Sequence, residues 1–452
     1  MARNPLAHLR GVAGRRPPRP RHWHRHLVRV DARDHSRMRG RSRRRDRPAP
    51  DVRSHRPAGA AARGVSRRRR PARGALMRLL DSRDHLGELP RVGPRFIDAL
   101  ESSGLAGRGG AGFPAGVKWR AVAQRSRGDA VILVNGAEGE PRSKKDRVLM
   151  CARPHLILDG AFIAARVLRA GRIVLYIGER HTAARDSMLR ALGERPEPER
   201  GLVSLAAAPA RYVAGAEAAA VHMVNEGLAT PTNTPPYPFE RGVDGAPTLV
   251  QNVETLAHAA LLARTGSIPG TMLLTLAGAA ARPGVVEVDE GTTIGEAIQR
   301  AGGVAETPRA VLLGGYFGSW VEPERAWKLQ LDHRSLRDQD LGLGCGVIGL
   351  LPARGCPVCE TAGIMRYLAT ESSAQCGPCF FGLRALADAC TRIAEGGADP
   401  DALRRLHRWS ADVRGRGACK HPDGAVIFLS SALTVFAREF AEHASHLARR
   451  IA

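Results

Sequence analysis

Gly107-Arg108-Gly109-Gly110-Ala111-Gly112-Phe113-Pro114-Ala115-Gly116-Val117-Lys118-Trp119 sets four glycines within six residues, with a lysine shortly after. Glycines lack the Cβ that keeps a backbone away from a ligand. Bare amides with a nearby cation are what a phosphate group needs. Turns use glycine too, so this loop alone does not separate a phosphate cradle from an ordinary bend. Far downstream, Cys376-Gly377-Pro378-Cys379 and a lone Cys419 have the character of an iron–sulfur thiol set. Together they point to a flavin or nucleotide electrically connected to a metal cluster.

The elements that must position these residues are legible in outline. Ala130–Val134 and Ile173–Ile177 are short apolar runs of the buried-strand type, and 154–170 between them has helical spacing. Strand, helix, strand at this scale predicts an α/β fold with a doubly wound, Rossmann-like parallel sheet. Ligands of such sheets sit at the carboxyl ends of the strands. Asn135-Gly136-Ala137-Glu138-Gly139-Glu140-Pro141 lies at such an end, and two carboxylates beside a glycine loop read as ligand-facing. Residues 231–247 read as an extended loop, and 248–256 as a turn leading into a helix. From about residue 266, two strands, a capped helix over 293–301 and a strand over 310–315 predict a small β-grasp insert. After Pro352 the spacing is helical over 359–371, 382–395, 400–410 and 426–447, a C-terminal bundle carrying the cysteines. The expected organisation is an Arg-rich disordered extension (1–76), an α/β domain (77–262), the β-grasp insert (263–335) and the helical domain (336–452).

The formal net charge of +25 is unevenly placed. Residues 1–76 hold 24 Arg and 4 Asp with no Lys or Glu, a net of 24 − 4 = +20, so the remainder carries 25 − 20 = +5. Such a segment reads as disordered, either a low-complexity extension or an arm for anionic surfaces; no specific nucleic acid is implied. No apolar run reaches the length of a membrane span. All eight cysteines follow residue 150, which fits metal or redox work in a reducing, cytoplasmic compartment rather than a secreted disulfide framework. Cys356-Pro357-Val358-Cys359 opens a predicted helix, where the dipole lowers a thiol pKa; a dithiol switch and chance thiols are both open readings.

Over roughly residues 90–445 the chain resembles the flavin-binding subunit of respiratory NADH dehydrogenase (the complex I 51-kDa family) and related diaphorase subunits. The 107–119 loop is similar to that family's glycine-rich segment. Asn135–Pro141 with Lys145-Asp146-Arg147 resembles its Asn-Ala-Asp-Glu-Gly-Glu-Pro and Lys-Asp-Arg. Gln251-Asn252-Val253-Glu254-Thr255 resembles Asn-Asn-Val-Glu-Thr, and the insert resembles an SLBB domain. The resemblance implies FMN, NAD(H) and a [4Fe–4S] cluster. Gly107, Gly109, Gly110 and Gly112 with Lys118 would hold the FMN phosphate. Asn135 and Asn252 would bond flavin or ribityl oxygens. Phe113, Glu138, Glu140, Gly215 and Glu217 would line the nucleotide side, and Cys376, Cys379 and Cys419 would ligate the cluster. Partners would be other redox subunits, such as a ferredoxin-like protein or a membrane-bound reductase, giving a cytoplasmic protein peripheral to the membrane.

The chain departs from that pattern at several positions. Ala121 and Asp244 replace aromatic residues, Ala137 an Asp and Ala216 a Glu, while Ser373 stands where the first cluster cysteine would be. Two readings follow: an electron-transfer flavoprotein subunit with NADH dehydrogenase-like activity, or a partner-docking subunit that no longer uses NADH. In the first, a Ser373 oxygen, water or a partner's ligand takes the fourth cluster position.

Overall fold

A computed structural model of the chain describes residues 28–29, 77–80, 87–397 and 401–445. The first sheet has the order β1-β4-β3-β2-β5: β1 Val28–Arg29, β2 Val131–Gly136, β3 Arg172–Gly178, β4 Val203–Ala208 and β5 Thr248–Asn252. All neighbours are parallel except β1, which pairs antiparallel with β4. The expectation of disorder over 1–76 otherwise lies outside the described residues.

Successive side chains of a strand point to opposite faces, and this sheet buries both. Ile132, Val134, Ile173 and Leu175 join one cluster, beneath the Pro154–Leu168 and Val253–Thr265 helices. Val131, Leu133, Val174 and Tyr176 join another, on the face covered by the Glu217–Glu226 helix. Continuous apolar runs are what a parallel sheet covered on both sides requires. β5 corrects the turn expected over 248–256. Its apolar run is only Leu249-Val250 before the polar Gln251 and Asn252, too short to announce a strand, and pairing with β2 decides the conformation.

The second sheet has the order β7-β6-β10-β8-β9: β6 Thr271–Gly278, β7 Gly284–Asp289, β8 Ala310–Leu313, β9 Ser319–Val321 and β10 Val347–Leu351. The Ile294–Arg300 helix beside it starts with a capping box. The Thr293 hydroxyl accepts the Glu296 N–H at 3.2 Å, and the Glu296 carboxylate accepts the Thr293 N–H at 3.0 Å. β10, the central strand, comes from beyond residue 335, the boundary expected for this domain.

The helices Pro357–Glu371, Arg384–Ala394, Ala402–Val413, His421–Val435 and Ala437–Ser445 pack on that sheet through Trp320, Leu312 and Ala310. The single helix expected over 426–447 is instead two helices bent by 83° at Phe436. No glycine or proline marks the break. Phe436 is buried against Trp320 with ring centroids 5.4 Å apart, so tertiary packing sets the corner. No single helix among the described residues is long and apolar enough to cross a membrane.

Candidate functional site

The glycine segment is a closed hairpin. The Gly107 amide donates to the Phe113 carbonyl at 2.8 Å, and the Ala115 amide to the Leu105 carbonyl at 2.8 Å, as the chain enters the Ala115–Ala123 helix. Gly110 has φ +114° and Gly112 φ +62°, backbone that side-chain-bearing residues rarely adopt. A Cβ on Gly110 would point into a gap whose nearest wall is Gly344, 3.8 Å away. A Cβ on Gly112 would collide with the His333 ring at 2.8 Å. Arg108 turns inward instead. Its amide donates to the Thr255 hydroxyl at 2.9 Å, while its guanidinium donates to the Thr271 carbonyl at 3.3 Å and pairs with Glu290. Arg108 thus pins the hairpin to the Val253–Thr265 helix by its amide and to the second sheet by its side chain, and leaves a glycine-floored cradle suited to a phosphate.

Lys118 lies in the helix that follows and is mostly buried. It donates to the Val250 carbonyl at 3.2 Å and forms an ion pair with Glu217. The structure therefore joins the expected phosphate cation to an expected nucleotide-side carboxylate. Asn135 donates to the Gly215 carbonyl at 2.9 Å and accepts from Ala137 N–H at 3.3 Å. Asn252 caps the Val253–Thr265 helix, accepting Glu254 N–H at 2.9 Å and donating to Asp146 at 2.7 Å. Both amides, expected to bond flavin or ribityl oxygens, are engaged within the protein and act here as rim anchors. The unengaged polar atom at this edge is Oε1 of Gln251, buried and unpaired, in a position that residue type alone does not single out.

The two carboxylates of the 135–141 segment separate in role. Glu138, with φ +43° and a side chain only 2% exposed, accepts Asp146 N–H at 2.9 Å, Arg147 N–H at 3.1 Å and the Ser143 hydroxyl at 2.7 Å. It fixes the start of the Lys145–Ala152 helix, which corrects its expected ligand-facing role. Glu140 accepts Tyr316 N–H at 2.9 Å and the Tyr212 hydroxyl at 3.1 Å. Burial raises its pKa against the pull of those bonds. The Cys345 thiol lies beside it, donating to the Gly314 carbonyl at 3.4 Å, and burial followed by the Glu140 charge pushes that thiol well up. Phe113 is 50% exposed at the tip of the hairpin. Behind Asn252 lies a buried network that sequence reasoning missed as a unit: Lys145 contacts Asp146 at 2.6 Å and Glu254 at 2.9 Å. Burial pushes Asp146 up to about 7, against Lys145.

Cys376, Cys379 and Cys419 converge beyond the end of the Pro357–Glu371 helix. Burial would raise the Cys376 thiol, yet N–H groups of Ala418 and Cys379 and a bond from the Cys379 side chain outweigh it, and its pKa falls. Cys379 is pushed up to about 12 by burial and by the neighbouring Cys376 and Cys419. Burial also raises Cys419, whose sulfur accepts the His421 N–H. Three sulfurs close enough to oppose one another's ionisation fit a site that cationic iron would relieve. Among the described residues no three His, Cys, Asp or Glu side chains converge on a single metal ion. In a polynuclear cluster each thiolate ligates its own iron. The hydroxyl that reaches Cys379 belongs to Ser372, which also donates to the Ala369 carbonyl at 2.9 Å, rather than to Ser373. Cys390 is buried on the next helix, and Cys356 and Cys359 lie at the far end of theirs.

An aromatic cluster fills the space between the two halves. Tyr212 meets Phe317 at 4.6 Å and His421 at 5.8 Å between ring centroids, and Phe317 meets His421 at 5.2 Å. The Tyr212 amide donates to Glu371 at 2.9 Å, and Arg211 to the Ser372 carbonyl at 3.2 Å. The corner holding Glu140 is thus bonded to the turn that leads to the cysteines. Outside the thiols, Phe380 and Phe381 are exposed, Phe381 by 70%, with the Arg384 guanidinium 4.4 Å from the Phe380 ring.

Residues 100–260 match the Nuo51 FMN-binding domain, 273–315 the SLBB domain, and 360–443 the NADH-ubiquinone oxidoreductase-F iron-sulfur binding region. An NADH-quinone oxidoreductase subunit of Rhizobium meliloti is 29% identical over 372 residues, 77% of this chain and 88% of that protein. NADH dehydrogenase [ubiquinone] flavoprotein 1, mitochondrial, of Dictyostelium discoideum is 30% identical over 357 residues, 73% of this chain and 74% of its own. Among solved structures, an NAD+-reducing [NiFe]-hydrogenase in the H2-reduced state superposes with a TM-score of 0.69 at 28% identity over 77% of this chain. The chain spans 62% of that hydrogenase chain. The matched domains, in this order on this fold, make the chain a member of the 51-kDa flavoprotein family of NADH-quinone oxidoreductase.

Proposed function

We propose that this chain is an electron-transfer flavoprotein subunit, an oxidoreductase that passes electrons between NAD(H), FMN and an iron–sulfur cluster and on to a partner redox subunit. The observation that carries this reading is the convergence of Cys376, Cys379 and Cys419 on the turn bonded to the Glu140–Tyr212 corner. When bound, FMN supplies the exchange between a hydride's two electrons and the single electrons that an iron–sulfur cluster carries. The residues supply position. The hairpin over 107–112 offers its glycine floor to the phosphate, with Lys118 balancing charge from one side. Gln251 offers a buried acceptor at the carboxyl edge of the sheet. Glu140, its pKa raised by burial, stands beside the Tyr212 hydroxyl where the nucleotide would enter. Phe113, half exposed, offers a ring face to a nicotinamide. Cys376, Cys379 and Cys419 supply three thiolates, and an oxygen or an exchangeable ligand completes the set. Phe380, Phe381 and Arg384 form an exposed apolar and cationic rim beside the thiols, where an acceptor such as a ferredoxin-like subunit would dock.

The second reading, a docking subunit that no longer uses NADH, is favoured by Ala121, Ala137 and Ala216. Asp244, instead of lining a pocket, pairs with Arg172 at 2.5 Å on an exposed surface. One experiment separates the two: anaerobic purification with flavin, iron and sulfide quantified, then titration with NADH. Bound flavin bleached by NADH supports the first. Bound cofactors indifferent to NADH support the second, and a protein without flavin or iron rejects the cofactor assignments.

A further inference from the structure

The end of the Pro357–Glu371 helix remote from Ser372 carries a second Cys-x-x-Cys, which electron transfer does not use. Cys356 is the residue preceding the first turn, and its sulfur accepts the Cys359 N–H at 3.3 Å. Pro357, at the first helical position, presets the backbone there. His443, on the Ala437–Ser445 helix, brings Nε2 to 3.6 Å from the same sulfur. Arg309 ties this corner independently, donating to the Gly355 carbonyl at 3.2 Å and to Glu439 at 2.7 Å. Cys359 is exposed, and burial of its sulfur together with its contact to Cys356 pushes its pKa up to about 11. It therefore stays a thiol and points its S–H at Cys356, whose sulfur is approached by the Cys359 N–H and S–H and by the His443 ring. Such convergence makes Cys356 the more closely contacted sulfur of the pair.

We propose that Cys356 and Cys359 form a reversible intramolecular disulfide, with Cys356 as the attacking sulfur, Cys359 as the resolving thiol and His443 as the residue that positions the Cys356 thiolate. The oxidant is a low-molecular-weight disulfide such as oxidised glutathione. The Cys356 thiolate attacks one sulfur of that disulfide, forming a mixed disulfide and releasing one glutathione thiolate, which takes a proton from solvent. Cys359 then gives its proton to solvent and attacks the Cys356 sulfur. The Cys356–Cys359 bond forms, the mixed disulfide breaks and a second glutathione leaves. Two protein thiols are oxidised and one disulfide is reduced to two thiols. Residues three apart on a helical turn have Cβ atoms about 5–6 Å apart, and closing to disulfide geometry needs only a slight tightening of the turn. Closure ties the sulfur that faces His443 into a disulfide, which weakens the docking of the last helix at this end.

The test uses the full chain, purified anaerobically and equilibrated with glutathione redox buffers, then acid-quenched, alkylated and digested for mass spectrometry. The expected result is a peptide spanning 356–359 that loses two hydrogens, with both sulfurs protected together and released by dithiothreitol. Cys359→Ser should trap glutathione on Cys356. His443→Gln should slow alkylation of Cys356 at pH 7 severalfold, with iron and flavin contents unchanged. Glutathione carried stably by wild-type Cys359, or two thiols that remain free in oxidised buffer, would overturn the disulfide. Equal alkylation rates in wild type and His443→Gln would overturn the positioning role.

Discussion

Gly110 and Cys376 are where single atoms decide the chemistry. Gly110→Val would add a side chain to the open gap in front of Gly344 and impose a β-branched residue on φ +114°. It should abolish flavin retention, read as the flavin absorbance of the purified protein; stoichiometric flavin in the variant would place the phosphate elsewhere. Cys376→Ala should remove the cluster, and Ser373→Cys, at the family's first-cysteine position, should make it more resistant to air, because thiolate suits iron better than hydroxyl. Iron and sulfide assays before and after air exposure check this pair, and identical values in wild type and both variants would mean packing cysteines. Glu140 gives a pH signature. Its pKa is raised in the folded state, so its contribution to stability is complete below the ordinary carboxylate value and is lost as pH climbs from there through the raised one. Thermal unfolding from pH 4.5 to 8 should therefore show a decline in wild type that Glu140→Gln flattens. Residue type and spacing singled out the glycine hairpin and the Cys376–Cys379 pair because those signals are local. The same reading could not foresee that Asn135 and Asn252 bond within the protein, since their partners Gly215 and Asp146 are remote in sequence.

Among the elements, the Pro357–Glu371 helix does the most joining. Its last turn meets Tyr212, Arg211 and the approach to Cys376, while Arg142 pairs with Glu360 nearer its start. Leu368 is fully buried there, and its carbonyl accepts from His421 at 2.7 Å. Leu368→Ala should cost about 2–5 kcal/mol by denaturant unfolding, and a loss below about 1 kcal/mol would show a site able to collapse. This helix was legible from periodicity, as were β2, β3, β6 and β7 from their apolar runs. β4, β5 and β10 were not legible in this way. β4 is rich in alanine and β5 has two apolar residues, while β10 follows a glycine-rich stretch, so all three depend on neighbours already in place. The corner at Phe436 was invisible for a similar reason, since its cause is Trp320 on another element.

On the scale of the whole molecule, Arg108 and the 107–112 hairpin bind the Val253–Thr265 helix to the second sheet, and the cysteine helices bind the second sheet to the Tyr212 corner. Deleting residues 1–76 removes only the short β1 pairing on β4 among the described contacts. Flavin and iron per chain should stay unchanged, and a colourless truncated protein would show that the extension holds up the site. The architecture also dictates an order of manufacture. The hairpin is made early, but its walls at His333 and Gly344 and the thiols beyond them are made late. At about 5–20 residues per second, the ribosome needs on the order of ten seconds or more to deliver them. The first sheet can bury its apolar faces during that interval, whereas the cradle stays open on one side. Cofactor capture must then wait until those late residues have emerged, so a nascent chain completes the core of its first sheet before it completes the site which that sheet serves.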